Sequence, residues 1–258
     1  MPDADAAIAI IPAATAVIFR HAPAGGAPQI LLVERAGTLA FAGGATVFPG
    51  GKVDPADHVL AARIGDGLDL DDAAARVAAV RETLEETGLV VGVKGTVTAA
   101  TAAEARRLLL DIGDLDPVLD RLGWVLNLHA LTPFARWLPK HTRVRAFDTR
   151  FYLADLGSGA VDLVVDAAEN RHLFWASAPE ALDLADDGRI KLVFPTRRNL
   201  ERLAMWPDFE SCRRHAEATR IVTISPKVGT RDGREWLLIP ADAGYPVDGE
   251  PLETALRG

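Results

Sequence analysis

One cysteine, two methionines and two tyrosines stand in 258 residues, and aromatic residues make up only 6%. A lone thiol, Cys212, has no intrachain disulfide partner, which points to a reducing compartment, the cytoplasm being the simplest. The chain also has no basic excess. Its 28 Lys and Arg against 36 Asp and Glu give a net charge of −8, so a general affinity for phosphate backbones is excluded as the starting reading. Long apolar runs are missing too. Ala6–Val17 comes nearest, but Asp3 and Asp5 precede it where a signal peptide needs positive charge, and Pro12 interrupts it. Nothing approaches the roughly 18 uninterrupted apolar residues of a membrane span.

What is present is ordinary globular material: 49% hydrophobic and 25% charged residues. A chain this long can bury about 75% of its unfolded surface without disulfide or metal staples. Apolar runs at Ile8–Arg20 and Ile30–Val33, joined by the turn cluster Pro23–Pro28, read as neighbouring strands. Helices are expected at Pro55–Ile64, Ala73–Thr87 (capped from Asp69–Asp72 and stopped by Gly88), Ala102–Asp111, Leu115–Leu122, Pro179–Ala185, Arg197–Met205 and Phe209–Thr219. Further strands are expected at Leu89–Val93, Arg143–Leu153, Val161–Val165, Ile221–Ile224 and Trp236–Ile239. No repeat or low-complexity linker marks a boundary. One domain spanning residues 1–258 is expected, of mixed α+β or α/β class, with a helical part at about 195–219.

Chemistry concentrates in Pro49-Gly-Gly-Lys-Val-Asp54 and Arg81-Glu-Thr-Leu-Glu-Glu-Thr-Gly-Leu89. On a helix, Glu82, Glu85 and Glu86 stand at i, i+3 and i+4 and share a face, flanked by Ala75 and Ala78, while Val77, Val80 and Leu84 point nearly opposite. Like charges at this spacing cost roughly 0.2–0.5 kcal/mol per pair. A solvated surface face would tolerate that cost, and a hard divalent cation held by oxygen ligands would offset it.

These residues resemble the second half of the Nudix box, G-x5-E-x7-R-E-U-x-E-E-x-G-U with U a bulky aliphatic, and Phe48-Pro-Gly-Gly51 resembles its opening. The pattern departs in three places. Twenty-nine residues separate Gly51 from Arg81 where the signature has thirteen, so the box carries a 16-residue insertion, placed at about residues 54–70. Ala73 stands eight positions before the arginine, where the signature has an isolated glutamate; Asp71 and Asp72 are the neighbouring substitutes. Thr83 stands at the first U. A long box insertion is similar to the peroxisomal coenzyme A diphosphatase branch and its bacterial relatives. Phe147-Asp-Thr-Arg-Phe151, Trp175, Pro179-Glu-Ala-Leu182 and Pro195-Thr196 extend the likeness over most of Ile8–Ala204.

The resemblance implies a Nudix fold: a mixed sheet sandwiched between helices, with extra C-terminal helices. It implies a metal-dependent hydrolase cleaving the pyrophosphate of a nucleoside diphosphate linked to another moiety, coenzyme A or an acyl-CoA first. Glu82, Glu85 and Glu86, with the Gly51 carbonyl, would hold Mg²⁺ or Mn²⁺. Glu85, Glu86, Arg81 and Glu169 are the catalytic set, with Arg81 orienting Glu85 and Glu169 a candidate base. The partners implied are a small nucleotide-type substrate and a second copy in a homodimer, with no nucleic acid and no membrane. The rival is a Nudix-like sensor that binds a nucleotide without turning it over. A P-loop is excluded because Thr46 and Val53 stand where it needs Gly and Ser or Thr, and the six histidines are too scattered for a site. Arg197-Arg198 and Arg213-Arg214 are read as helix decoration, and Cys212 as a helix-surface or half-buried thiol.

Overall fold

The computed structural model describes residues 8–23, 25–35, 43–139, 145–156 and 170–255. The chain begins with strands β1 (Ala9–Arg20), β2 (Gln29–Arg35), β3 (Thr46–Val47) and β4 (Gly50–Lys52), then helices α1 (Pro55–Ile64) and α2 (Leu70–Thr87). After β5 (Val93–Lys94) come α3 (Ala99–Ile112) and α4 (Leu115–Leu122), then β6 (Val125–Leu126), β7 (Thr132–Trp137), β8 (Arg145–Asp155) and β9 (Asn170–Ala176). The remainder is α5 (Ala178–Asp186), α6 (Phe194–Leu203), α7 (Phe209–Ala218), β10 (Thr223–Ile224), β11 (Lys227–Arg231), β12 (Arg234–Leu238), β13 (Gly249–Pro251) and α8 (Leu252–Ala255).

Eight strands form one mixed sheet, in the order β10-β7-β8-β1-β2-β3, with β4 also on β1 and β9 also on β2. β1 runs parallel to β8 from Ala9–Arg145 to Phe19–Asp155 and antiparallel to β2 and β4. Alternation along the strands divides the core. Ala14, Ala16, Ile18, Leu31 and Val33 pack with α1–α4, while Val17, Phe19, Ile30 and Leu32 pack with α5–α7. The sheet is therefore sandwiched between helices, as expected, and a separate three-stranded sheet β11-β12-β13 follows α7.

Several expectations need correction. Leu89–Val91 is buried but lies outside the sheet, and only Val93–Lys94 pairs, with β6. The apolar run there serves the core after the left-handed Gly88 stop (φ 74°) and carries no ladder. Cys212 is not half-buried but fully buried, and burial pushes its thiol up to about 12. Arg198 does not decorate a helix surface: it is 2% exposed and donates to the Gly249 carbonyl and to Glu201 and Glu250, tying α6 to the C-terminal segment. Val161–Val165 and residues 143–144 lie outside the described residues. Among the described residues no helix is long and apolar enough to cross a membrane.

Candidate active site

The box helix is α2. Asp69 caps it by accepting from the Asp72 amide (3.1 Å), and its last carbonyls meet Gly88. It is not a surface helix. Val77, Val80 and Leu84 face the core as expected, but Ala78, Thr83 and Glu86 are buried as well. Burial on nearly every side removes the reading of Glu82, Glu85 and Glu86 as a solvated charged face.

What approaches the carboxylates is β4, and two glycines permit it. The Gly50 amide donates to Glu86 Oε2 at 3.0 Å. A Cβ on Gly50 would meet the Ala14 carbonyl oxygen of β1 at 2.3 Å and the Thr15 Cα at 2.7 Å, both backbone atoms. A Cβ on Gly51 would lie 2.3 Å from Glu82 Cδ, so the Glu82 carboxylate rests directly on the Gly51 backbone. The Phe-Pro-Gly-Gly turn is thus the surface against which the carboxylates are laid.

Arg81 differs from expectation. Its guanidinium makes a two-pronged contact with Asp57 of α1, Nε to Oδ1 at 3.0 Å and Nη2 to Oδ2 at 2.9 Å. Nη2 also donates to the Lys52 carbonyl at 2.8 Å, and Nη1 donates to Glu82 Oε1 at 2.9 Å. Glu85 is only an ion-pair neighbour at 3.5 Å. Arg81 is therefore anchored outside its own helix, and it holds Glu82 by a hydrogen bond while pairing with Glu85 by charge. The reason is geometric: the planar fork fits the Asp57 carboxylate face to face, and a buried arginine needs such a partner. Burial alone would lower the Arg81 pKa, but the hydrogen bond to Asp57 and the fields of Glu82, Asp57 and Glu85 outweigh it and raise it.

Asp57 is the residue that sequence reasoning missed. Neither Asp71 nor Asp72 substitutes for the isolated box glutamate. Asp71 is exposed, and Asp72 holds Arg76 (2.8 Å), the Tyr152 hydroxyl (2.8 Å) and Arg150 (3.3 Å). The signal was present: the residue after the signature's five-residue spacer, counted forward from Gly51, is Asp57. Counting back from the arginine crossed the insertion and landed on Ala73. The 16 extra residues therefore follow Asp57 and do not begin at Asp54.

Charge at the site is unbalanced. Burial foremost, then the neighbouring Glu85 and Asp57, pushes Glu82 up to about 7 despite Arg81. Glu85 is raised by burial too, again against the pull of Arg81. Among the described residues no three His, Cys, Asp or Glu side chains stand with donors already gathered for a metal ion. The chemistry of the set nevertheless fits a hard divalent cation: all donors are oxygens, three carboxylates and the Gly51 carbonyl, with Glu82 and Glu85 desolvated. Glu169 lies outside the described residues.

Comparison with known proteins gives the family. The NUDIX domain model matches residues 11–108, which include β4, α1 and the whole box helix. A crystal structure of a NUDIX hydrolase from Alicyclobacillus acidocaldarius superposes with a TM-score of 0.67 at 31% identity, covering 80% of this chain and 96% of that one. Among curated proteins, nudix hydrolase 7 of Caenorhabditis elegans is 27% identical over 89% of this chain and 73% of its own length. The acyl-coenzyme A diphosphatase NUDT19 of Gallus gallus is 26% identical over 85% of this chain and 73% of its own length. The chain belongs to the Nudix family and is a Nudix hydrolase, with coenzyme A diphosphatase-like relatives.

Proposed function

We propose that this hydrolase cleaves the pyrophosphate bond of a nucleoside diphosphate linked to another moiety, with coenzyme A or an acyl-CoA the first substrate to test. The observation that carries the reading is the crowding of desolvated carboxylates around Arg81: Asp57, Glu82 and Glu85 share one guanidinium. Such a set is poorly balanced alone and well balanced around a divalent cation. Glu82, Glu85 and Glu86, with the Gly51 carbonyl, would hold Mg²⁺ or Mn²⁺. When bound, the cation neutralises a pyrophosphate and lowers the pKa of a coordinated water.

The protein's own contribution is positional. Arg81, fastened to Asp57, orients Glu82; Gly50 orients Glu86 through its amide; and the close Gly51 backbone keeps solvent from that side of Glu82. Glu85 and Glu86 remain catalytic candidates, and Glu169 a candidate base on a different segment. The coenzyme A assignment is supported by the name of the Gallus gallus relative and by the box insertion. The whole chain working as one cytoplasmic domain is part of the same proposal, as is a homodimer.

The test is hydrolysis of coenzyme A, ADP-ribose, NADH and dinucleoside polyphosphates with Mg²⁺, with Mn²⁺ and with EDTA. Metal-dependent release of two phosphorylated products, fastest from coenzyme A, is expected. Binding without turnover across the panel would favour a sensor, and turnover unaffected by EDTA would remove the metal assignment.

A further inference from the structure

The box helix ends on consecutive carbonyls that are met by different groups. The Thr83 carbonyl accepts from the Thr87 hydroxyl at 2.6 Å, and the Leu84 carbonyl accepts from the Gly88 amide at 3.0 Å. The Glu85 carbonyl would ordinarily take the amide four residues on, but the Leu89 amide donates instead to Thr87 Oγ1, at 3.1 Å. Its partner comes from another helix: Arg106 of α3 donates to it from Nε at 2.9 Å.

Arg106 is seated for this contact. Ala102, one turn before it, and Leu109, one turn after, are fully buried in the core that α3 shares with α2, and Arg106 itself is half-buried. Among the described residues its guanidinium has no carboxylate within ion-pair distance. Arg107, the next residue, is exposed and donates to Asp111 at 3.0 Å. A cation placed on the last carbonyls of a helix is also favoured by the helix dipole.

The residue whose main chain is held this way is Glu85. Glu82 is pinned by Arg81 at 2.9 Å and by the Gly51 backbone. Glu85 meets Arg81 at 3.5 Å, and its side chain is the more open of the two, 23% exposed against 14%. Its place therefore depends more on its own backbone, in the last turn of α2, where helices fray. We propose that Arg106 is a positioning residue of the metal site: its bond to the Glu85 carbonyl fixes the last turn of α2 and so the place of the Glu85 carboxylate beside Glu82. The inference rests on the reading of these glutamates as cation ligands. Without Arg106, ordering a frayed turn would cost binding energy each time a cation is taken up.

Mn²⁺ binding to the substrate-free protein, followed by the loss of the free-ion electron paramagnetic resonance signal, tests this without turnover. Arg106→Met keeps an apolar stem and removes the donor, and it should raise the Mn²⁺ Kd by about tenfold or more. Arg106→Lys, which keeps a donor, should recover most of that loss, and it carries the test should the methionine variant not fold: its Kd should then lie near the wild-type value while Arg106→Gln, with a shorter reach, raises it. Arg107→Met removes the same charge from the same helix and should leave the Kd unchanged. Amide exchange over residues 85–88 of the metal-free protein should quicken in Arg106→Met and not in Arg107→Met. An Arg106→Met variant that melts lower yet binds Mn²⁺ as tightly as the wild type would make Arg106 a helix cap alone and overturn the proposal. Equal weakening by Arg107→Met would assign the effect to net charge and overturn it too. If the wild type binds no Mn²⁺ up to about 10 mM, the metal reading falls and the proposal with it; if the wild type binds and Arg106→Met binds equally, the proposal alone falls.

Discussion

Asp57 and Arg81, 24 residues apart in the chain, meet in a buried two-pronged pair that joins α1 to α2. The pair sits in the first turn of α1, just before the inserted residues, so the insertion continues a helix already fastened to the box arginine. Leu60 and Ala61 of the same helix are 1% exposed within the core. Shortening the insertion should therefore spare stability at most within residues 65–69, between the helices.

Asp57→Ala should cost about 3–5 kcal/mol, because it leaves the Arg81 guanidinium buried without its main partner. Urea unfolding of the metal-free protein measures this. A loss below about 1 kcal/mol would mean that Glu82, Glu85, Asp54 and the Lys52 carbonyl suffice to hold Arg81.

Glu86→Gln should keep the fold and lose turnover. Its amide oxygen can still accept from the Gly50 amide, while the charge needed beside a divalent cation is gone. Thermal melting and initial rates at saturating Mg²⁺ check both halves, and retention of most of the wild-type rate would refute the assignment.

Adjacent glycines should respond differently to one methyl group. Gly50→Ala places a Cβ against the backbone of Ala14 and Thr15, at a φ of 156° that suits glycine, and should cost about 3 kcal/mol. Gly51→Ala presses first on the end of the Glu82 side chain. It should spare stability and raise the Mg²⁺ concentration for half-maximal activity about 10–100-fold. Melting curves and metal titrations of the two variants distinguish these outcomes.

Stability of the metal-free protein should fall as pH rises from about 4.5 to about 7. A carboxyl whose folded-state pKa lies above its unfolded value holds its proton more tightly when folded. The Glu82 contribution is therefore fullest below about 4.5 and is lost by about 7, and the raised Glu85 acts in the same direction. Glu82→Gln should flatten this part of the pH–melting profile. An unchanged slope in that variant would show that Glu82 is not the group responsible.

The helices were legible because their signals are local: Asp54 before Pro55, Asp69 before α2, Gly88 after it, and Leu115–Leu122 between Asp114 and Gly123. The shared face of Glu82, Glu85 and Glu86 followed from helical period alone. Partner choice was not legible. The preference of Arg81 for Asp57 over Glu85 depends on how α1 folds back across the insertion, which spacing within α2 cannot report. Arg136 and Arg150 belong to different strands and are brought side by side only by sheet register. Leu89–Val91 misled because a short apolar run has the same composition in a strand and in a buried connection.

The parallel pairing of β1 with β8 has a consequence for synthesis. β1 is near the middle of the sheet, yet one of its edges is closed by residues 145–155. A ribosome emits roughly 5–20 residues per second, so the open edge of β1 persists for many seconds while β2, β4 and the box helix are already outside the exit tunnel. During that interval the nascent chain carries an unpaired apolar edge, Ala14 through Phe19, competent to pair with another nascent copy. The yield of active protein should therefore depend more on translation speed and chaperone supply than on the stability of the finished fold.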